Sequence, residues 1–229
     1  MTDLINALFV IVLVLNLFAL GMSRIQSVIR IVGAQGALLG LIMLLLHEHP
    51  SLPVILSAAA AVAIKGLVIP WIMVRSLRAA SIKREIEPLV GFLPSIILGA
   101  AATAAVLLVF GAVGAVSPAE AASGGAAAAT VDSAGKSALI APASIATALV
   151  GFIILVSRFK AISQVLGYLV LENGIYIFGM LLVEAIPLVV EMGVLLDLFV
   201  GIFVISIITN HINQAFSSMD TRRLVSLKE

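Results

Sequence analysis

Long apolar runs alternate along this chain with short polar interruptions, and the alternation predicts its elements. A helix needs about 20 apolar residues to cross about 30 Å of hydrocarbon. Runs of that kind cover approximately 4–22, 28–46, 53–74, 89–116, 138–157, 161–183 and 188–210. No period-2 alternation competes with them, so the expected fold is all-α, a polytopic membrane helical bundle of about seven transmembrane helices. The first run, following Met1-Thr2-Asp3-Leu4, has no basic segment before it and no small-residue cleavage site after it. It reads as a retained span and not as a signal peptide.

The polar interruptions set the orientation. Arg24 and Arg30 lie between the first two runs, Arg75, Arg78, Lys83 and Arg84 between the third and fourth, and Arg158 and Lys160 between the fifth and sixth. Arg222, Arg223 and Lys228 follow the last. The connections in between hold His47-Glu48-His49-Pro50-Ser51, the small-residue stretch 117–137 with only Lys136, and Glu184 with Glu191. Basic and non-basic connections alternate without a break, and eleven of the thirteen Lys and Arg fall on one side. Positive charge collects on the cytoplasmic face. The expected location is therefore the cell (cytoplasmic) membrane, with the N-terminus outside and the C-terminus inside. The 117–137 stretch, with Ala121-Ala122-Ser123-Gly124-Gly125, reads as an external linker. Arg84, Glu85 and Glu87 read as a solvated loop.

Composition narrows the classes. The 229 residues are 62% hydrophobic and 11% charged, more apolar surface than a soluble domain can cover. A net charge of +1 gives no reason to expect nucleic acid. The absence of cysteine excludes thiolate-held iron–sulfur clusters, disulfides and cysteine nucleophiles. No phosphate-binding glycine loop, metalloprotease signature or nucleophile constellation is present, so no cofactor or catalytic residue is expected. His47 and His49 flank Glu48 but lack a third convincing ligand, and no metal is expected there. His211 falls at the end of the last span, where a helix C-terminus favours a cation.

The first three and last three spans read as a duplicated unit. Each unit runs span, basic turn, span with a polar centre, external loop, and third span with one ionisable residue near its middle. Val32-Gly33-Ala34-Gln35-Gly36 can be laid on Val170-Leu171-Glu172-Asn173-Gly174, which puts Gln35 on Asn173. Both units have the same orientation, so the expected architecture is two parallel three-helix repeats joined by a fourth span. The units are 1–87 and 138–229, with the connecting span and linker at 88–137.

Three ionisable residues fall deep in the apolar runs. Lys65 is ten residues from Arg75, Glu172 twelve from Lys160 and Asp197 thirteen from Asn210. At 1.5 Å per residue each is about 15–20 Å deep, near the bilayer centre. A charge there costs roughly 2.5–3.5 kcal/mol on the insertion scale, so these groups should face protein or a hydrated cavity. Burial and a neighbouring cation act in opposite directions on a carboxylate's proton affinity. Acids held between the two are suited to loading and releasing a proton. The alternative is a structural tie, with Lys65 neutralising Asp197 or Glu172. Tyr168 and Tyr176, the only tyrosines, lie four residues either side of Glu172 and share its helix face. Their hydroxyls could hydrogen-bond the carboxyl or hold a water, or the rings could simply pack. Pro70, five residues beyond Lys65, predicts a bend and a freed Gly66 carbonyl. Gly36 and Gly40 predict a close helix contact. The candidate proton path is thus Glu172, Asp197, Lys65, Tyr168, Tyr176 and Gln35.

These residues also carry a resemblance. Residues 140–229 resemble the three-span K-type (NuoK-like) subunit of respiratory complex I, which has a glutamate inside its second span and an acid inside its third. The matching positions are Glu172, in Leu171-Glu172-Asn173-Gly174, and Asp197, in Leu195-Leu196-Asp197-Leu198-Phe199. The whole chain, by length and span layout, resembles hydrogenase 4 membrane component E (the HyfE family). The first unit departs from the K-type pattern, with Gln35 and Lys65 where that subunit carries carboxylates. The resemblance implies a non-catalytic subunit of a group 4 membrane-bound hydrogenase or complex I-like assembly. It would contribute to translocation of protons (or sodium), with antiporter-like subunits and the hydrogenase/iron–sulfur arm as partners. The alternatives are a structural bridging subunit of the membrane arm, intolerant of bulk at Gly36 or Gly174, and the C-type subunit of a multi-subunit cation/proton antiporter.

Overall fold

The computed structural model describes residues 2–47, 50, 52–79, 89–116, 138–158 and 160–182. The regular structure among them is helical, with no strand. Helix α1 spans Thr2–Gly21 and α2 spans Ile25–Leu45. The third run is α3, Leu52–Ala61, a π-helical segment, Val62–Val68, and α4, Ile69–Ala79. Helix α5 spans Phe92–Val116, α6 Ile140–Ser157 and α7 Ala161–Leu182. Six of these stretches are long and apolar enough to cross a membrane. By length and composition the chain is a multi-pass membrane protein. The expected seventh span, 188–210, with Asp197, lies outside the described residues, as do the 117–137 linker and the Glu85–Glu87 loop.

Lipid offers an apolar side chain the same surroundings as a protein core, so these helices associate by close packing and polar contacts. Two apolar clusters result. One gathers Leu20, Ile25, Ile29, Met73, Ile154 and Leu166 at the basic-turn end. The other gathers Phe9, Leu39, Ile42, Val54, Ile140 and Ile177 at the opposite end. Each long stretch except α5 contributes to both, and each places a buried polar residue between them. Those residues are Asn16 in α1, Gln35 in α2, Lys65 in the π segment, Thr147 in α6, and Glu172 with Asn173 in α7. The bundle is therefore apolar, polar, apolar in layers along the helix axes. Helix α5 packs on α1 and α6 and exposes Leu93, Ile97, Leu98, Leu108 and Val109, a surface suited to lipid.

Glycine lets two helix pairs approach closely enough to form the layer. A methyl built on Gly36 would lie 2.5 Å from Lys65 Cβ, and one on Gly40 2.5 Å from Val62 Cγ2. The close contact expected at these two glycines is thus made with the third run. On the other side, a methyl on Gly174 would lie 2.5 Å from the Ala148 backbone nitrogen, and one on Gly167 2.5 Å from that of Leu155. Helices α6 and α7 therefore meet backbone to backbone.

The structure meets Pro70 by widening the helix. Proline has no N–H to offer and its ring crowds the carbonyl four residues earlier. The turn before it winds as π, and the Ile69 N–H donates to the Ile64 carbonyl, five residues back. Lys65 sits inside this wide segment. Single π turns of this kind recur at functional sites.

A candidate ion-pair site in the polar layer

The layer contains two arrangements side by side. The first is charged. Lys65 Nζ lies 2.6 Å from Glu172 Oε1, and the two side chains are 4% and 2% exposed. The same ammonium sits over the Tyr176 ring, 4.6 Å from its centroid. Tyr176 Oη donates to Met43 Sδ at 2.9 Å, and Ser57 Oγ donates to the same sulfur at 3.5 Å. The π segment and α7 thus supply the ions, while Met43 of α2 holds the ring hydroxyl.

The second arrangement is neutral. Asn173 Nδ2 donates to Gln35 Oε1 at 3.4 Å, and Gln35 Nε2 donates to Asn16 Oδ1 at 2.8 Å. Gln35 Nε2 also reaches the Val12 carbonyl at 3.3 Å. Asn16 Nδ2 donates in turn to Thr147 Oγ1 at 2.9 Å. The chain of amides crosses from α7 to α2 to α1 to α6. It joins the ion pair through the adjacent residues Glu172 and Asn173.

Of the expected path residues, Lys65, Glu172 and Tyr176 come together as one cluster. Gln35 belongs to the neutral ladder beside it. Tyr168 packs a level away, against the apolar cluster at the basic-turn end. Asp197 lies outside the described residues. Among the described residues no group of three or more His, Asp or Glu side chains could hold a metal. His47 Nδ1 instead sits 3.0 Å from the Met43 carbonyl.

Four contributors were not anticipated: Asn16, Thr147, Met43 and Arg158. Asn16 carried a signal, an amide midway along an otherwise apolar run. Thr147 and Met43 carried almost none, because both are ordinary in membrane helices. Arg158 was expected only as part of the basic turn between the fifth and sixth spans. It is 1% exposed, and its Nη2 donates to the Leu20 carbonyl at 2.7 Å while the guanidinium stacks over Phe92 at 4.9 Å. Lying one residue beyond α6, it completes the C-terminal end of α1, where carbonyls lack helical partners. Burial lowers its proton affinity below the usual arginine value. Arginine starts so high that it remains a cation.

Fold and site together define a multi-pass helical membrane protein with a buried ion pair in a polar middle layer. The chain is similar to an uncharacterized protein of Mycobacterium tuberculosis, Rv0085, with 28% identity over 207 residues, 90% of this chain and 87% of the relative. That likeness is longer than either half, so both halves have counterparts there. No protein-family model matches the chain, and no solved structure matches it.

Proposed function

We propose that this chain is a non-catalytic membrane subunit of a group 4 membrane-bound hydrogenase or complex I-like assembly. In it the chain contributes to translocating protons (or sodium) driven by redox chemistry in partner subunits. The observation that carries the reading is the Lys65–Glu172 pair, buried at mid-depth between two apolar layers. A carboxylate so placed is costly unless paired, and a pair that can be made and broken is a means of loading and releasing a cation. Glu172 is also the position that matches the K-type glutamate, in Leu171-Glu172-Asn173-Gly174.

In this reading the chain has seven spans, with the N-terminus outside and the C-terminus cytoplasmic, an orientation that the distribution of Lys and Arg supports. It comprises two parallel three-span repeats. The Gln35–Asn173 hydrogen bond supports the repeat. These two positions superimpose in the repeat register, and equivalent positions near a local twofold axis meet each other. Lys65 then comes from the first unit and Glu172 from the second. The N-terminal unit, without an acid pair of its own, supplies the counter-cation. Antiporter-like subunits would surround the chain, and the hydrogenase/iron–sulfur arm would do the electron transfer.

The test is Glu172→Gln in the intact complex, reading ions pumped per electron with assembly as the control. Pumping should fall severalfold while assembly and electron transfer persist. Unchanged pumping would remove Glu172 from the ion path and leave the structural bridge as the better description. The backbone-close packing at Gly167 and Gly174 is the observation that favours that second reading.

A further inference from the structure

The ion pair has a third member. The Lys65 ammonium lies 2.6 Å from the Glu172 carboxylate and also 4.6 Å from the centre of the Tyr176 face. It touches an anion and a ring at once. Its root is fixed, because Lys65 Cβ is pressed against Gly36, where a methyl would lie 2.5 Å away. Displacement of the charge therefore belongs to the flexible four-carbon stem and not to the helix. The ring is fixed too. Its hydroxyl donates to the Met43 sulfur at 2.9 Å, and Met43 is 2% exposed. A thioether is a weak acceptor, and it turns the hydroxyl toward α2 while the face meets the lysine.

Proton uptake changes what holds the lysine. In the proposed role a proton that reaches Glu172 forms an O–H bond there, and the carboxylate loses its charge. The ammonium is then a buried cation without its anion, a costly state in an apolar interior. The Tyr176 face is a compensating group already in reach, 4.6 Å away and within the roughly 6 Å over which a ring attracts a cation, and such attraction grows with desolvation.

We propose that Tyr176 is a positioning residue whose ring face is a second seat for the Lys65 ammonium. The ammonium shifts onto the ring when Glu172 is neutralised and returns to the carboxylate when the proton leaves. The inference rests on the proposed role of Glu172 as the ion-loading group, and it assigns Tyr176 a role through its face and not through its hydroxyl.

The experiment uses the intact complex with three replacements at position 176. Tyr176→Phe keeps the face without the hydroxyl. A ring-fluorinated phenylalanine drains the face of electron density at nearly constant shape. Tyr176→Leu removes the ring. Pumping per electron is read beside the infrared carbonyl band of protonated Glu172 during turnover, assigned by its loss in Glu172→Gln. The fluorinated ring should pump about threefold less than Tyr176→Phe, as expected for weakening a desolvated cation–ring contact. Tyr176→Leu should pump less again, and the infrared band should decline in the same order. In a Lys65→Met background the fluorinated and plain rings should give the same result. Equal pumping by the fluorinated and plain rings in the native background overturns the second seat, as does a Tyr176→Phe loss as deep as that of Tyr176→Leu. If Glu172→Gln abolishes pumping while fluorination has no effect, only the seat fails. If Glu172→Gln pumps normally, the functional reading fails and the seat with it.

Discussion

The polar layer holds two solutions to one problem, and they differ in what they permit. The ladder of Asn16, Gln35, Asn173 and Thr147 is buried as deeply as the Lys65–Glu172 pair and shares α7 with it. In the ladder each amide donor meets an oxygen acceptor, and no member can change charge near neutral pH. It fixes the register of four helices and has one state. The pair can lose or gain a proton, and each change alters what its partner must do. A membrane bundle that needed only adhesion could have used the ladder twice. The charged version beside it is where the proposed ion-loading role needs a second state.

The largest expected effect comes from breaking the pair from one side. Lys65→Met leaves the Glu172 carboxylate buried without its ammonium. Removing one partner of a buried pair costs about 3–5 kcal/mol, mostly through the charge left behind. The assembled complex should become scarce, and its unfolding midpoint in denaturing detergent should drop sharply. Adding Glu172→Gln removes the stranded charge, so the double variant should be more stable than Lys65→Met alone. A double variant no better than the single would show that the cost lies in packing against Gly36 and Tyr176, and the contrast between pair and ladder would weaken.

The ladder should respond less. Gln35→Leu removes the central amide, leaving Asn16 Oδ1 and Asn173 Nδ2 without the partner each has now. An unsatisfied buried group costs about 1–3 kcal/mol. The unfolding midpoint should fall by less than in Lys65→Met. Pumping per electron in the complex that does assemble should fall far less than in Glu172→Gln. A pumping loss as deep as that of Glu172→Gln would place Gln35 on the ion path and merge the two arrangements into one.

How far the sequence revealed this layer follows the same division. Lys65 and Glu172 stood out because a charge within an apolar run has few bland explanations. Their pairing did not, because nothing local to either residue says that the third run lies against α7. The helices were readable too: the expected runs at 4–22, 138–157 and 161–183 correspond to Thr2–Gly21, Ile140–Ser157 and Ala161–Leu182. Pro70 announced a disturbance, but its form, a π segment with Lys65 inside, depends on how the third run packs on Gly33 and Gly36. Asn16 and Thr147 passed unnoticed because neutral polar side chains are cheap in a membrane helix, and a threonine can satisfy itself on its own backbone. Arg158 drew no expectation beyond its place in a basic turn. A basic residue at a helix end is usually solvated, and only the three-dimensional position of the Leu20 carbonyl and Phe92 draws it inward.

The smallest effect is the finest probe of the comparison. Thr147→Val keeps the volume of the side chain and removes only the oxygen that accepts from Asn16 Nδ2. Hydrogen bonds between membrane helices contribute about 0.6 kcal/mol on average, because the separated helices find other partners. Thr147 sits at the far end of the ladder from Glu172, three hydrogen bonds removed through Asn16, Gln35 and Asn173. A ladder that only ties helices together should register this loss as a slight drop in unfolding midpoint, with pumping per electron indistinguishable from that of the unmodified complex. A measurable change in pumping from so conservative a replacement, at the last step of the ladder, would mean that the amides transmit the state of the ion pair. The neutral layer would then be part of the switch and not its frame.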